Sequence, residues 1–208
     1  MDAGFVMTLS DGYTELAPGK IAAVVTYLEM RERPGMTAVV PPAGLSVRRV
    51  VKPGLEWYRK LYRAVGQDWL WFSRLRMSDK ELAGIIHDAQ VNVYALSEGT
   101  ADKGLLELDR RTGSEVEVAY FGLTADLVGR GAGQYLMKQG LEAAWAYAPE
   151  RVWVHTCTLD HPRALSFYLK AGFVPYERAV EVADDPRLTG EAPRTAAPHV
   201  PVIARASL

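Results

Sequence analysis

The stretch Glu115-Val116-Glu117-Val118-Ala119-Tyr120-Phe121-Gly122-Leu123, followed by Thr124-Ala125-Asp126-Leu127 and then Val128-Gly129-Arg130-Gly131-Ala132-Gly133-Gln134, decides how this chain folds. A β-rich run ends at Leu123, and glycines stand at 129, 131 and 133. Helical periodicity then runs from about Gly133 to Tyr147, with Leu136, Met137, Leu141, Ala144 and Trp145 on one face. Strand, glycine turn and helix together make an anion site, because the unpaired N–H groups and the dipole of a helix start both favour negative charge. The glycines let the backbone curl tightly and approach a phosphate closely. The pattern is not a P-loop, since Gly133-Gln134-Tyr135 stands where Gly-Lys-Ser/Thr is needed. Nor is it a dinucleotide fingerprint, whose third glycine would fall on Gln134.

Outward from this loop the chain alternates between β and helical chemistry. Ile21 to Arg33 reads as a strand stopped by Pro34-Gly35, and Pro41-Pro42-Ala43-Gly44 as a loop. Trp57, Leu61, Tyr62 and Val65 fall on one helical face that Gly66 closes, and Ser78 with Glu81 forms a capping box for a second helix. Val91–Leu96 and Leu106–Asp109 read as strands, the latter alternating apolar and charged. With Glu115–Leu123 they form antiparallel sheet. After Pro149 come a short strand over Arg151–Thr156 and a helix opened by Pro162 and ended by Gly172. A last strand covers Phe173–Val182. Alternation along the third strand puts Val116, Val118 and Tyr120 on one face and Glu117, Ala119 and Phe121 on the other. From Ala183 on, Pro and Ala are frequent, which predicts a loosely held tail.

Two motifs in this order resemble the GNAT superfamily of N-acetyltransferases. Val128-Gly129-Arg130-Gly131-Ala132-Gly133 is similar to its pyrophosphate loop, Arg/Gln-x-x-Gly-x-Gly/Ala, except that Val128 replaces the first residue. Downstream, His161-Pro162-Arg163-Ala164-Leu165-Ser166-Phe167-Tyr168-Leu169-Lys170-Ala171-Gly172-Phe173 matches Asn-x-x-Ala-x-x-Leu-Tyr-x-Lys-x-Gly-Phe, with His161 for Asn and Phe167 for Leu. The phrase Glu117–Leu123 together with His155–His161 looks like a bacterial subgroup of unnamed substrate. The resemblance covers roughly residues 20–182. It implies one α/β (α+β) domain there, with a mixed, mostly antiparallel sheet of six or seven strands and about four helices. A lead segment at 1–19 and a Pro/Ala-rich tail at 183–208 flank it.

The resemblance also implies roles. Acetyl-CoA would be the cofactor, with its pyrophosphate on Val128, Gly129, Arg130, Gly131, Ala132, Gly133 and Gln134. Its pantetheine arm and thioester carbonyl would lie along Phe121, Gly122, Leu123 and Thr124, with His161, Ala164, Phe167 and Tyr168 across the cleft. Tyr168 matches the family tyrosine that protonates the departing thiolate; an ordinary phenol, with a pKa of about 10, holds its proton at neutral pH. Glu117 stands roughly where histone-type members place their general base, with Glu107 and Asp109 as weaker alternatives. His155, Cys157, Asp160 and His161 cluster without metal-site spacing and are read as cleft floor rather than a metal site. Of Trp57, Tyr58, Trp69, Trp71 and Phe72, any that face the cleft would suit an apolar or aromatic amine.

Bulk composition fits this reading. The 208 residues carry a net charge of −1 and no polybasic run, which argues against a nucleic-acid partner. No apolar stretch near the start is long enough for a bilayer, residues 1–4 lack a leader pattern, and Cys157 is the single cysteine, so a reducing cytoplasm is expected. A homodimer is compatible with all of this. The expected activity is acetyl transfer to a primary amine of a small molecule by direct attack. A non-catalytic acyl-CoA-binding module, and an acetyltransferase acting on protein N-termini or lysines, stay open.

Overall fold

The computed structural model describes residues 9–35 and 40–204. The leader reading of residues 1–4 and the outer ends of the lead segment and tail lie outside the described residues. Seven strands form one sheet: β1 (Lys20–Met30), β2 (Leu45–Val50), β3 (Val91–Glu98), β4 (Ala101–Asp109), β5 (Glu115–Leu123), β6 (Arg151–Cys157) and β7 (Val174–Asp184), in spatial order β2-β3-β4-β5-β6-β1-β7. Each neighbouring pair is antiparallel except β5 and β6. A parallel pair needs a crossover, and helix α4 (Ala132–Trp145) supplies it. The other helices among the described residues are α1 (Leu55–Gly66), α2 (Ser73–Arg76), α3 (Asp79–Ile86), α5 (Ala164–Lys170) and α6 (Pro186–Thr189).

Both faces of the sheet centre are covered. Leu136, Met137 and Leu141 of α4 pack on Leu106, Leu108, Val116, Val118, Val152 and Val154. Tyr58, Leu61, Tyr62 and Val65 of α1, with Leu82 and Ile86 of α3, cover Val91, Val93, Ala95 and Leu105 on the other side. Ser78 and Glu81 form the expected capping box, each side chain accepting from the other's backbone N–H.

Two expectations need correction, and one strand was not foreseen. No element is assigned to residues 45–50 from the sequence, yet they form β2. Its Arg48 and Arg49 suggest solvent, but they reach across to Asp102 and Asn92, which lets an edge strand of mixed polarity pair with β3. Alternation along β4 does not expose its charges, because Glu107 is fully buried between the sheet and α1. The tail is not loose: α6 and the residues beyond it bury Ala192, Ala196 and Ala197 against Ile21 and Leu70.

Glu107 survives burial because Arg74 donates to its Oε1 at 2.5 Å and Tyr58 to its Oε2 at 2.5 Å. Removing one member of such a buried pair strands a charge. Arg74→Met should therefore lower unfolding free energy by about 3–5 kcal/mol in urea titrations, and the double variant Arg74→Met/Glu107→Met should recover part of that loss. Equal losses in both variants would show that side-chain packing, not the buried charge, is what Arg74 contributes.

Candidate active site

The site begins where two strands part. β5 and β6 pair only over Glu115, Val116 and Glu117, opposite Arg151, Val152 and Trp153. Beyond Glu117 they diverge, and a cavity of about 840 Å³ opens between them, lined by residues 118–123 of β5 on one side and His155 and Cys157 of β6 on the other. A bulge sharpens the split. Opposite β4, Glu107 faces Tyr120 and Leu108 faces Val118, so Ala119 is an extra residue. This overturns the simple alternation expected for β5. Tyr120 now packs against Tyr62 and Trp71 on the α1 side, while Phe121 stacks on Phe167, ring centroids 5.3 Å apart, on the α5 side.

The glycine loop forms one end of the cavity. Gly129 and Gly131 take positive φ values of 84° and 78°, which a side chain would strain. Gly131 is the N-cap of α4 and no side chain caps that end, so the first-turn amides have no partner within the helix. Gly129, Gly131, Gly133 and Gln134 line the cavity with Val128, and a Cβ on Gly133 would touch Phe167 at 3.5 Å. The loop is thus a cradle of donors open to the cavity, with the character a pyrophosphate requires. Arg130 points elsewhere, donating to Glu98 at 2.6 Å. Ala132 is fully buried, and Thr124 gives its amide to the Lys103 carbonyl at 2.8 Å; neither lines the cavity.

Across the cleft, α5 presents Ala164, Phe167 and Tyr168 to the cavity. Tyr168 is 6% exposed and packed edge-on to Phe121, Phe167 and Phe173, and burial raises its phenol above the ordinary range. The turn before α5 is built by Asp160 and His161. The Asp160 carboxylate accepts from the Thr156 hydroxyl, the Cys157 amide and the Trp71 indole. His161 Nδ1 accepts from the Arg163 amide at 3.0 Å, so the imidazole does the turn-closing work. Burial, with Asp160 close by, pushes the Cys157 thiol up to about 11, which keeps it protonated and a poor nucleophile.

Glu117 sits at the fork, beside the cavity lining rather than in it, with Oε1 3.9 Å from His155 Nε2, which does line it. Desolvation, reinforced by Asp109 and Glu107 and opposed by Arg74 and Arg111, pushes its carboxyl up to about 7. The other two carboxylates of this region are committed. Glu107 is held by Arg74 and Tyr58, and Arg111 clamps both oxygens of Asp109 and holds it below its usual range against the cost of burial.

A sequence profile of the Acetyltransferase (GNAT) family matches residues 55–173. The chain belongs to this family. No curated protein matches the sequence. Among solved structures, an aminoglycoside acetyltransferase from an uncultured soil metagenomic sample, in complex with trehalose, aligns with TM-score 0.55 and 15% identity over 66% of this chain and 93% of its own. A GCN5-related N-acetyltransferase from Sphaerobacter thermophilus gives TM-score 0.55 and 15% identity over 81% of this chain, which spans 52% of that one. A functionally unknown conserved protein from Staphylococcus epidermidis gives 0.54 and 12%, over 80% and 64%. These likenesses show a shared fold.

As a member of the GNAT family the chain is an acyl-CoA-dependent acetyltransferase, and the family uses acetyl-CoA. In this acetyltransferase the wall opposite the glycine loop comes from α1 and the segment after it: Tyr62, Trp69, Leu70, Trp71 and Phe72, with Tyr120 from the bulge. Of the five aromatics singled out in the sequence, Trp69, Trp71 and Phe72 face the cavity. Tyr58 is core, and Trp57 lies outside the cavity, its indole donating to Asp102. Ser73, Asp68 and Glu181 also line the cavity and carry no sequence signal, since local periodicity does not report what a distant strand faces.

The raised Glu117 carboxyl has a stability consequence. Unfolded, it titrates near 4.5; folded, near 7. Between those values the folded state keeps a proton that the unfolded state releases, so Glu117 lowers stability as pH rises through this window. Glu117→Gln should therefore raise the thermal midpoint relative to wild type at about pH 8 and change it little at about pH 5. The same difference at both pH values would mean that the carboxyl titrates in the ordinary range.

Proposed function

We propose that this acetyltransferase moves the acetyl group of acetyl-CoA to a primary amine of an apolar or aromatic small molecule by direct attack within one ternary complex. The observation that carries the reading is the fork: one cavity joins the uncapped α4 start, Tyr168 and the aromatic wall. Acetyl-CoA supplies the acetyl group as an activated thioester. The backbone of residues 128–134 would hold its pyrophosphate, and β5 from Phe121 to Leu123, with Ala164 and Phe167, would flank its arm. Residues 20–182 form the catalytic body in this reading.

Each remaining step falls to a side chain on the page. An amine reaches the site as ammonium and cannot attack until it loses a proton. Glu117, poised near neutral and two residues along β5 from the cavity lining at Ala119, takes that proton, with His155 between it and the cavity. Tyr168, protonated and buried, donates to the leaving sulfur. Tyr62, Trp69, Trp71 and Phe72 exclude water and take the apolar body of the acceptor. Cys157, kept as a thiol, has no part in a covalent acyl step.

Coenzyme A should raise the melting temperature of the wild type by mass action. Gly131→Val, which forces a β-branched residue to φ 78°, should abolish that rise while the unliganded protein still melts cooperatively. A preserved ligand shift in the variant would take the loop out of the binding site.

Steady-state kinetics with acetyl-CoA and a panel of arylalkyl amines tests the chemistry. Wild-type kcat/KM should rise with pH through about 7. Glu117→Gln should lose most activity at neutral pH and regain part at high pH, where free amine is plentiful. Tyr168→Phe should keep coenzyme A affinity and slow turnover by roughly 10²–10⁴-fold. A Glu117→Gln profile that tracks the wild type at every pH would place the base elsewhere.

A further inference from the structure

The aromatic wall has a rear support outside the stretch that matches the family profile. Residues 69–72 follow a 3₁₀ turn, and Leu70 adopts φ 54°, a left-handed conformation unfavourable for a branched side chain. Such strain persists only where the surroundings over-determine it. Here they are the C-terminal segment: Ala192, Ala196 and Ala197 bury Leu70 to 2% exposure, with Phe72 and Leu159 packed against the same cluster. Trp69 lies between His161, at 5.0 Å, and His199, at 6.0 Å. Arg76 stacks over Phe72 at 4.1 Å and donates to the Asp184 carbonyl, Thr189 and Glu191.

The segment is itself locked by one residue. Arg187, 4% exposed, pairs with both oxygens of buried Asp185 and donates to the carbonyls of Ala196, Ala197 and Val200. A guanidinium offers five donors in a fixed fork, and this one spends them on closing the chain back upon itself. Nothing in the chemistry at the fork uses Arg187.

We propose that residues 185–201 brace the acceptor wall, with Arg187 as the positioning residue, so that acceptor affinity is set partly from outside the cavity. The proposal rests on reading that wall as the acceptor side. The contacts of the segment to the site run through Trp69, Leu70 and Phe72, on the acceptor side, so its loss should separate acceptor binding from pyrophosphate binding.

Two variants test it. Arg187→Met/Asp185→Asn removes the lock without stranding a charge, and His199→Ala removes an exposed contact to Trp69 should the first variant fail to fold. Hydrogen exchange is read at the amides of Leu70, Trp71 and Leu75, bonded to Gln67, Gly66 and Phe72, with Tyr135 at the glycine loop as control. Exchange at the three should accelerate about tenfold or more in the double variant while Tyr135 stays protected. With 2-phenylethylamine as probe, KM for the amine should rise about tenfold in the double variant, with kcat and KM for acetyl-CoA nearly unchanged. His199→Ala should move both readouts the same way by less. Uniform loss of protection, or KM for acetyl-CoA moving as far as that for the amine, would overturn the proposal by making the segment generally structural. Unchanged exchange and KM would overturn it outright. If wild type does not acetylate 2-phenylethylamine, the acceptor reading fails for that amine and the exchange result alone decides the bracing.

Discussion

Everything at the site follows from the point where β5 and β6 stop pairing. Two parallel strands that kept their ladder to the end would leave no space between α5 and the aromatic wall. Parting after Glu117 and Trp153 frees backbone on both sides, and buried backbone groups must find partners. A sheet that opens in this way leaves backbone groups that water or a ligand must satisfy, so the fork is both a structural cost and an invitation to a ligand with an extended polar backbone of its own. The bulge at Ala119 belongs to the same constraint. It exchanges the faces that Tyr120 and Phe121 would otherwise take, sending Tyr120 to the α1 side and Phe121 to the α5 side.

Charge placement around the fork shows how one of three nearby carboxylates is singled out. Glu107 and Asp109 have arginine partners within hydrogen-bond reach. Among the described residues Glu117 has no arginine at that distance, its ion-pair neighbour being an imidazole at 3.9 Å, and it feels the negative charge of the other two. Its raised proton affinity is therefore a property of the neighbourhood. Arg74 contributes at a distance by compensating Glu107, so the buried pair that supports α2 also tempers the field at the fork.

Much of this was legible in the sequence, for local reasons. The glycine spacing, the capping box and the tyrosine-bearing helix are short-range patterns, and each appears on its expected element. What escaped is non-local. β2 hides because its arginines look solvated until Asp102 and Asn92, some fifty residues away, are brought beside them. The bulge at Ala119 cannot be seen in β5 alone, because it is a mismatch between two strands. The tail reads as loose because alanine and proline are poor signals of burial, and Asp185 with Arg187 looks like any surface pair until the carbonyls of Ala196, Ala197 and Val200 close around the guanidinium.

The position of β1 bears on how the chain reaches this state. β1 is the first strand among the described residues, yet it lies between β6 and β7, with Val25 opposite both Cys157 and Ala179. During synthesis it leaves the ribosome before β6 and β7 and must wait for strands made more than a hundred residues later. Closing loops of that length before any contact forms makes its insertion a slow, late event. Until then an apolar strand with Ile21, Ala23, Val25 and Leu28 stands exposed, ready to pair with another nascent copy. The interval before β1 docks is the chain's period of greatest exposure to misassembly.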